Sequence, residues 1–84
     1  SITDEQVNAY KEFLSPGDFC IDIGAHSGDS TIPMALVVGL NGCALALEPN
    51  PFVYHVLEKN ARTNQHLVNV KTMMAAAILE EGFI

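Results

Sequence analysis

Apolar residues recur at three- and four-residue steps through Val7, Tyr10 and Leu14, against polar positions at Asp4, Asn8, Lys11 and Glu12. That period predicts an amphipathic helix. Thr3-Asp-Glu-Gln6 has the form of a capping box, so the helix should begin at about Asp4, and Ser15-Pro-Gly-Asp18 should end it in a turn. The pattern then changes. Phe19, Cys20, Ile21 and Ile23 form a run too short for a helix and rich in strand formers, interrupted only by Asp22, which predicts a strand buried on both faces. Gly24 and Gly28 let the chain turn sharply after it. From Thr31 to Val38 the residues are apolar almost all round, and a helix of that kind expects cover on more than one face. Asp29 or Ser30 is placed to cap this helix, and Pro33 fits its first turn, where amides have no intrahelical partner.

Gly39 should sit just past the helix end, and Asn41-Gly42 is a turn signal leading into a second strand, Cys43 to Leu47, with Glu48 at its end. A helix-length crossover between the two strands favours parallel pairing in a βαβ unit. Asn50-Pro51 reads as a cap followed by proline at the first helical position. The helix it starts keeps an inner stripe of Phe52, Val53, Val56, Leu57 and Ala61, can pair Glu58 with Arg62 on its outer face, and should stop near Asn64. Leu67, Val68 and Val70 begin a third strand that runs to about Met74. Ala75 to Gly82 has helix propensity.

Composition narrows this picture. The 84 residues allow one small domain, residues 1–84, and a complete doubly wound fold does not fit. A hydrophobic fraction of 49% beside only 17% charged residues suits a slab cut from a larger core. The net charge is −6, and Lys11, Lys59, Arg62 and Lys71 are scattered, so a nucleic-acid backbone is not favoured as a partner. Cys20 and Cys43 fall in predicted strands without C-x-x-C or Cys/His spacing, so they read as small buried hydrophobes and no metal site is expected. Residues 1 to 12 lack the basic start and apolar run of a signal peptide. Pro33, Gly39, Asn41 and Gly42 break the longest uncharged stretch, so no membrane span is expected and a cytoplasmic location is the simplest.

The candidate chemistry lies around the glycines. Asp22-x-Gly24-x-x-x-Gly28 departs from the dinucleotide fingerprint G-x-G-x-x-G, with His26 where a middle glycine would stand, which disfavours pyrophosphate recognition. Asp22, two positions before the first glycine, suits a ligand that carries an ammonium group; a carboxylate inside an apolar strand is costly unless paired, so it should either serve such an ammonium or be a structural acid hydrogen-bonded to loop amides. Glu48, at the carboxyl end of a second parallel strand, is placed to accept hydrogen bonds from both hydroxyls of a ribose. The competing reading of Glu48 is a solvated strand-end acid or a charge at the N-terminus of the following helix.

Asp22-Ile-Gly-Ala-His-Ser-Gly-Asp-Ser-Thr31 followed by Leu47-Glu-Pro-Asn-Pro51 resembles the S-adenosylmethionine (SAM) dependent methyltransferases of Rossmann-like fold, and within them the FkbM-type family. The resemblance covers roughly residues 13 to 77. It implies an α/β fold with a three-stranded parallel half sheet in order 3-2-1 and flanking helices, and SAM as cofactor. It also implies cofactor contacts at Asp22, Gly24, Ala25, His26, Gly28, Ser30, Thr31, Glu48, Pro49 and Asn50, with His26 beside the methionine part and Asn50 next to the adenine. O-methyl transfer to a small hydroxylated acceptor is the implied reaction, and Ala75 to Ile84 would form a loop at the edge of the adenine pocket. The strands that build the acceptor site in a complete enzyme have no counterpart before Ile84, and Ala75 to Ala77 stand where many relatives place an acid for the adenine amino group. No general base can be named.

A non-catalytic nucleotide-binding or assembly module is the alternative reading; a dinucleotide-binding half domain is made less fitting by His26. In the 3-2-1 order the first strand has no fourth strand beside it, an open apolar edge that is a template for pairing, and the helix Thr31 to Val38 is expected to lack cover. Both points predict a homo-oligomer, or a swapped pair in which Ile78 to Ile84 completes a neighbour's sheet.

Overall fold

The structure is a computed structural model and describes residues 3–76. In chain order the elements are α1 (Asp4–Tyr10), β1 (Phe19–Ile23), α2 (Thr31–Val38), β2 (Cys43–Leu47), α3 (Pro51–Thr63) and β3 (Val70–Met73). The strands form one parallel sheet in the order β1-β2-β3, with Phe19 opposite Cys43, Ile23 opposite Leu47, and Ala44 opposite Val70. This is the expected 3-2-1 order seen from the other edge. The capping box at Thr3 and Gln6 is formed, and the Asn50 side chain accepts from the amides of Phe52 and Val53 at the start of α3.

Both crossover helices lie on the same face of the sheet. Cys20 and Ala44 pack with Ile32, Ala35 and Val38 of α2, while Ala46 packs with Leu57 of α3. Ala44 and Ala46 are two residues apart on the central strand and so point to the same side. Their small side chains, fully buried, let the helices come close to the sheet. Along α3 only Leu57 and Ala61 are buried; Phe52 and Val56 of the expected stripe are exposed.

The other face is bare among the described residues. Phe19 and Ile23 are 62% and 60% exposed, and Ile21 and Met73 lie open beside them. The expectation that β1 is buried on both faces is therefore corrected. A run of apolar residues records that both faces shun water, not that the same segment supplies both covers. The expectation that α2 lacks cover is corrected as well. It rests on β1 and β2 on one side and on α1 on the other, with only Leu36 substantially exposed.

Two boundaries also move. β3 starts at Val70 and ends at Met73, because the amides of Leu67 and Val68 donate to the Asn64 carbonyl in a turn, which leaves Val68 buried but outside the strand. Gly42 serves close approach: a Cβ there would stand 2.5 Å from the Asp18 carbonyl oxygen and 2.6 Å from that of Val38. At the same crossing Gly17 donates to Val38 and Cys43 to Asp18, so the starts of β1 and β2 are tied together. No helix among the described residues is long and apolar enough to cross a membrane. Readings of residues 77–84, the adenine-side loop and the swapped tail among them, lie outside the described residues.

Candidate functional site

The loop between β1 and α2 is wound by three positive φ angles, 71° at Gly24, 55° at His26 and 102° at Gly28. That winding turns its amides inward. Gly24 and Ala25 both donate to the Leu47 carbonyl at 2.9 Å, and Gly28 donates to Ala25 at 3.0 Å. The amide of His26 donates to Glu48 Oε1 at 2.8 Å. A phosphate cradle needs such groups pointing outward. Four loop amides are thereby committed inside the protein, while those of Ser27, Asp29 and Ser30 donate to none of these acceptors. The side chain of Ala25 packs with Ala46 and Leu57 in the core.

Glu48 is the electrostatic centre. It follows β2 directly and is 4% exposed, which replaces the reading of a solvated strand-end charge. Its Oε2 accepts from the amide of Asn50 at 3.1 Å, while Oε1 takes the His26 amide. The Asn50 amide first, and the His26 amide second, hold its carboxyl below the usual carboxylate value against the opposing effect of burial. The exposed imidazole of His26 stands beside it, Nδ1 4.0 Å from Oε1. An ionised carboxylate has room for about four hydrogen bonds, and the two backbone amides fix its plane while leaving acceptor capacity on each oxygen. Pro49 and Asn50 are exposed next to it, Asn50 working chiefly as the cap of α3.

Asp22, half-buried in β1, accepts a hydrogen bond on Oδ2 from the hydroxyl of Thr31 at 2.6 Å. Thr31 is fully buried, so its expected direct contact with a ligand is not available in this arrangement. Ser30 occupies the cap position of α2 but makes no capping hydrogen bond through its side chain, since its backbone is already helical and not extended. The pairing of strand ends brings Asp22 and Glu48 to the same edge of the sheet: Asp22 lies opposite Ala46, and Ile23 opposite Leu47, the residue before Glu48. Open α/β sheets bind ligands at this carboxyl edge.

One contributor was missed in the sequence. Asn60 Nδ2 of α3 donates to the Ser27 carbonyl at 2.7 Å and so fastens the glycine loop to a helix 33 residues away. Its signal was its place beside Ala61 and three residues after Leu57, on the inner side of an amphipathic helix where a polar residue needs a partner. A groove between α3 and β3, lined by Arg62, Gln65, Asn69 and Lys71 among others, contains none of the residues expected to bind a ligand. Among the described residues no cluster of His, Cys, Asp or Glu is arranged to hold a metal ion.

No family model and no curated protein matches this chain. Solved structures do. A SAM dependent methyltransferase from Aquifex aeolicus superposes with a TM-score of 0.77 at 20% identity over 87% of this chain and 39% of its own. A protein-L-isoaspartate O-methyltransferase gives 0.74 at 20% identity, over 92% of this chain and 25% of its own. The TYW2 protein of P. horikoshii, in complex with MeSAdo, gives 0.70 at 16% identity over 100% of this chain and 31% of its own. The likeness is one of fold, a Rossmann-like sheet of the kind found in methyltransferases, and the chain spans well under half the length of each of these neighbours.

Proposed function

We propose that this chain is the SAM-binding half of a methyltransferase, of FkbM type by its Asp22–Thr31 and Leu47–Pro51 motifs, acting on a hydroxyl oxygen of a small acceptor. The observation that carries this reading is the Glu48 carboxylate, buried at the carboxyl edge of the sheet and oriented by the amides of His26 and Asn50. A rigid carboxylate with free acceptor capacity matches the two hydroxyls of a ribose. The departure of Asp22-x-Gly24-x-x-x-Gly28 from the dinucleotide fingerprint, with His26 at the middle glycine position, favours an adenosyl sulfonium over a dinucleotide.

In this reading Glu48 holds the ribose, Asp22 meets the ammonium directly or through water, and His26 lies along the methionine part. Gly24, Ala25, Gly28 and Ser30 line the passage with main chain and small groups, and Pro49 and Asn50 border the adenine. When bound, SAM supplies a methyl group on a positively charged sulfur. The described residues bind and orient it; none is assigned as a general base.

Calorimetry with S-adenosylhomocysteine and with NAD tests the reading. The homocysteine ligand should bind and NAD should bind no better, and Glu48→Ala should weaken the first about tenfold or more. Equal or tighter binding of NAD would sink the proposal. The sheet face left bare among the described residues favours a second reading, a non-catalytic assembly module, which absence of binding by any adenosyl ligand would support.

A further inference from the structure

We infer that Thr31 is a positioning residue, whose hydroxyl holds the Asp22 carboxylate in place for the ammonium end of the ligand; this rests on the cofactor reading above. Threonine at the start of a helix ordinarily serves as a cap or faces a ligand. Here it does neither. It is the first residue of α2, fully buried, and its Oγ1 lies 2.6 Å from Asp22 Oδ2, within the range of a short hydrogen bond to an ionised carboxylate. The two residues are nine apart and stand at the two ends of the glycine loop, so the bond ties its neck.

The consequence for Asp22 is geometric. One of its oxygens is anchored, and no other hydrogen bond to this carboxylate is found among the described residues. Oδ1 is left for a cation. An aspartate free to rotate would meet an ammonium in several poses and lose rotamer freedom on binding, whereas an anchored one presents a single acceptor. Thr31 thus bears on the amino-acid end of the ligand, while Glu48, held by different donors, serves the ribose end.

That division can be measured with two ligands. S-Adenosylhomocysteine carries the ammonium, and 5′-methylthioadenosine keeps the nucleoside and lacks it. Thr31→Val removes the hydroxyl at nearly constant shape. It should weaken binding of the first ligand about tenfold and leave the second unchanged, and Thr31→Ser should restore parental affinity for the first. Equal weakening of both ligands would overturn the inference, because the bond would then serve only the loop's fold. Unchanged affinity for both would overturn it too. Should Thr31→Val fail to fold, Thr31→Ala removes the hydroxyl without placing a methyl group against Asp22 and carries the same comparison. A parent chain that binds neither ligand would instead remove the cofactor reading on which the inference stands.

Discussion

Alanine at Gly28, compared with alanine at Gly24, separates backbone strain from packing in the loop that builds the site. Gly24 has φ +71° and open space where a Cβ would go. Its replacement therefore measures the backbone alone, about 1–2 kcal/mol for an L-residue forced to left-handed geometry. Gly28 has φ +102°, and an added Cβ would lie 3.3 Å from Leu57 Cδ1 and 3.9 Å from Ile32 Cγ1. Leu57 is itself buried among Ala25 and Ala46 and has little room to swing aside, so overpacking adds about 1–2 kcal/mol to the same strain. Gly28→Ala should then lose about 2–4 kcal/mol in all. In a domain of this size each kcal/mol moves the melting temperature about 4–8 °C, so the two variants should melt roughly 4–16 °C apart. Thermal and urea melts followed by circular dichroism read this directly. Equal losses would refute the packing part of the reasoning, and no loss at Gly24 would refute the strain. A Cβ added at Gly28 would point toward Leu57 and Ile32, so any effect of Gly28→Val on ligand binding should pass through folding rather than through a blocked pocket.

The lowered carboxyl of Glu48 ties stability to acid. Because its folded pKa lies below the ordinary value of 4.5, the folded chain binds fewer protons than the unfolded one in that range; the stability this contributes is full above the ordinary value and is lost as pH falls through the folded pKa. Glu48→Gln should flatten the acid limb of a plot of urea midpoint against pH, and a limb parallel to the parent's would show that other carboxylates set it. We also propose that the chain self-associates through a second copy at the edge of β1, which no described strand covers and which is continuous with the exposed Phe19, Ile21 and Ile23. Light scattering at micromolar concentration should report a dimer or larger; a folded monomer would overturn the open-edge argument.

What the residues disclosed in advance follows from how local each signal is. The strands and helices were legible because their periodicities and caps, Thr3 with Gln6 and Asn50 with Pro51, act within a few residues. Glu48 was legible because an acid that ends an apolar run just before Pro-Asn-Pro has few other places to be. Its burial and the identity of its donors were not, because the His26 amide reaches it from 22 positions away. Thr31 misled for a related reason: threonine beside a helix start has the same local appearance whether its hydroxyl caps, meets a ligand or turns back to a strand. The bare face of β1 escaped because Phe19, Ile21 and Ile23 are apolar regardless of what covers them. Leu67 and Val68 looked like strand until the turn at Asn64 took their amides.

The double hydrogen bond at the Leu47 carbonyl has a bearing on how a ligand would be met. Gly24 and Ala25 converge on that one oxygen, and His26 continues to the next residue, so three successive loop amides are anchored to the end of β2. Glycine-containing loops are often thought of as mobile covers that settle when a ligand arrives. This one is hydrogen-bonded to the end of β2 as part of the fold, so the entropy of ordering it belongs to folding rather than to association. Amide hydrogen exchange at these three positions would accordingly track opening of the β1–β2 pair instead of independent motion of the loop. In the cofactor reading proposed above, selectivity would then be that of a template, set by the positions at which the fold holds Asp22 and Glu48.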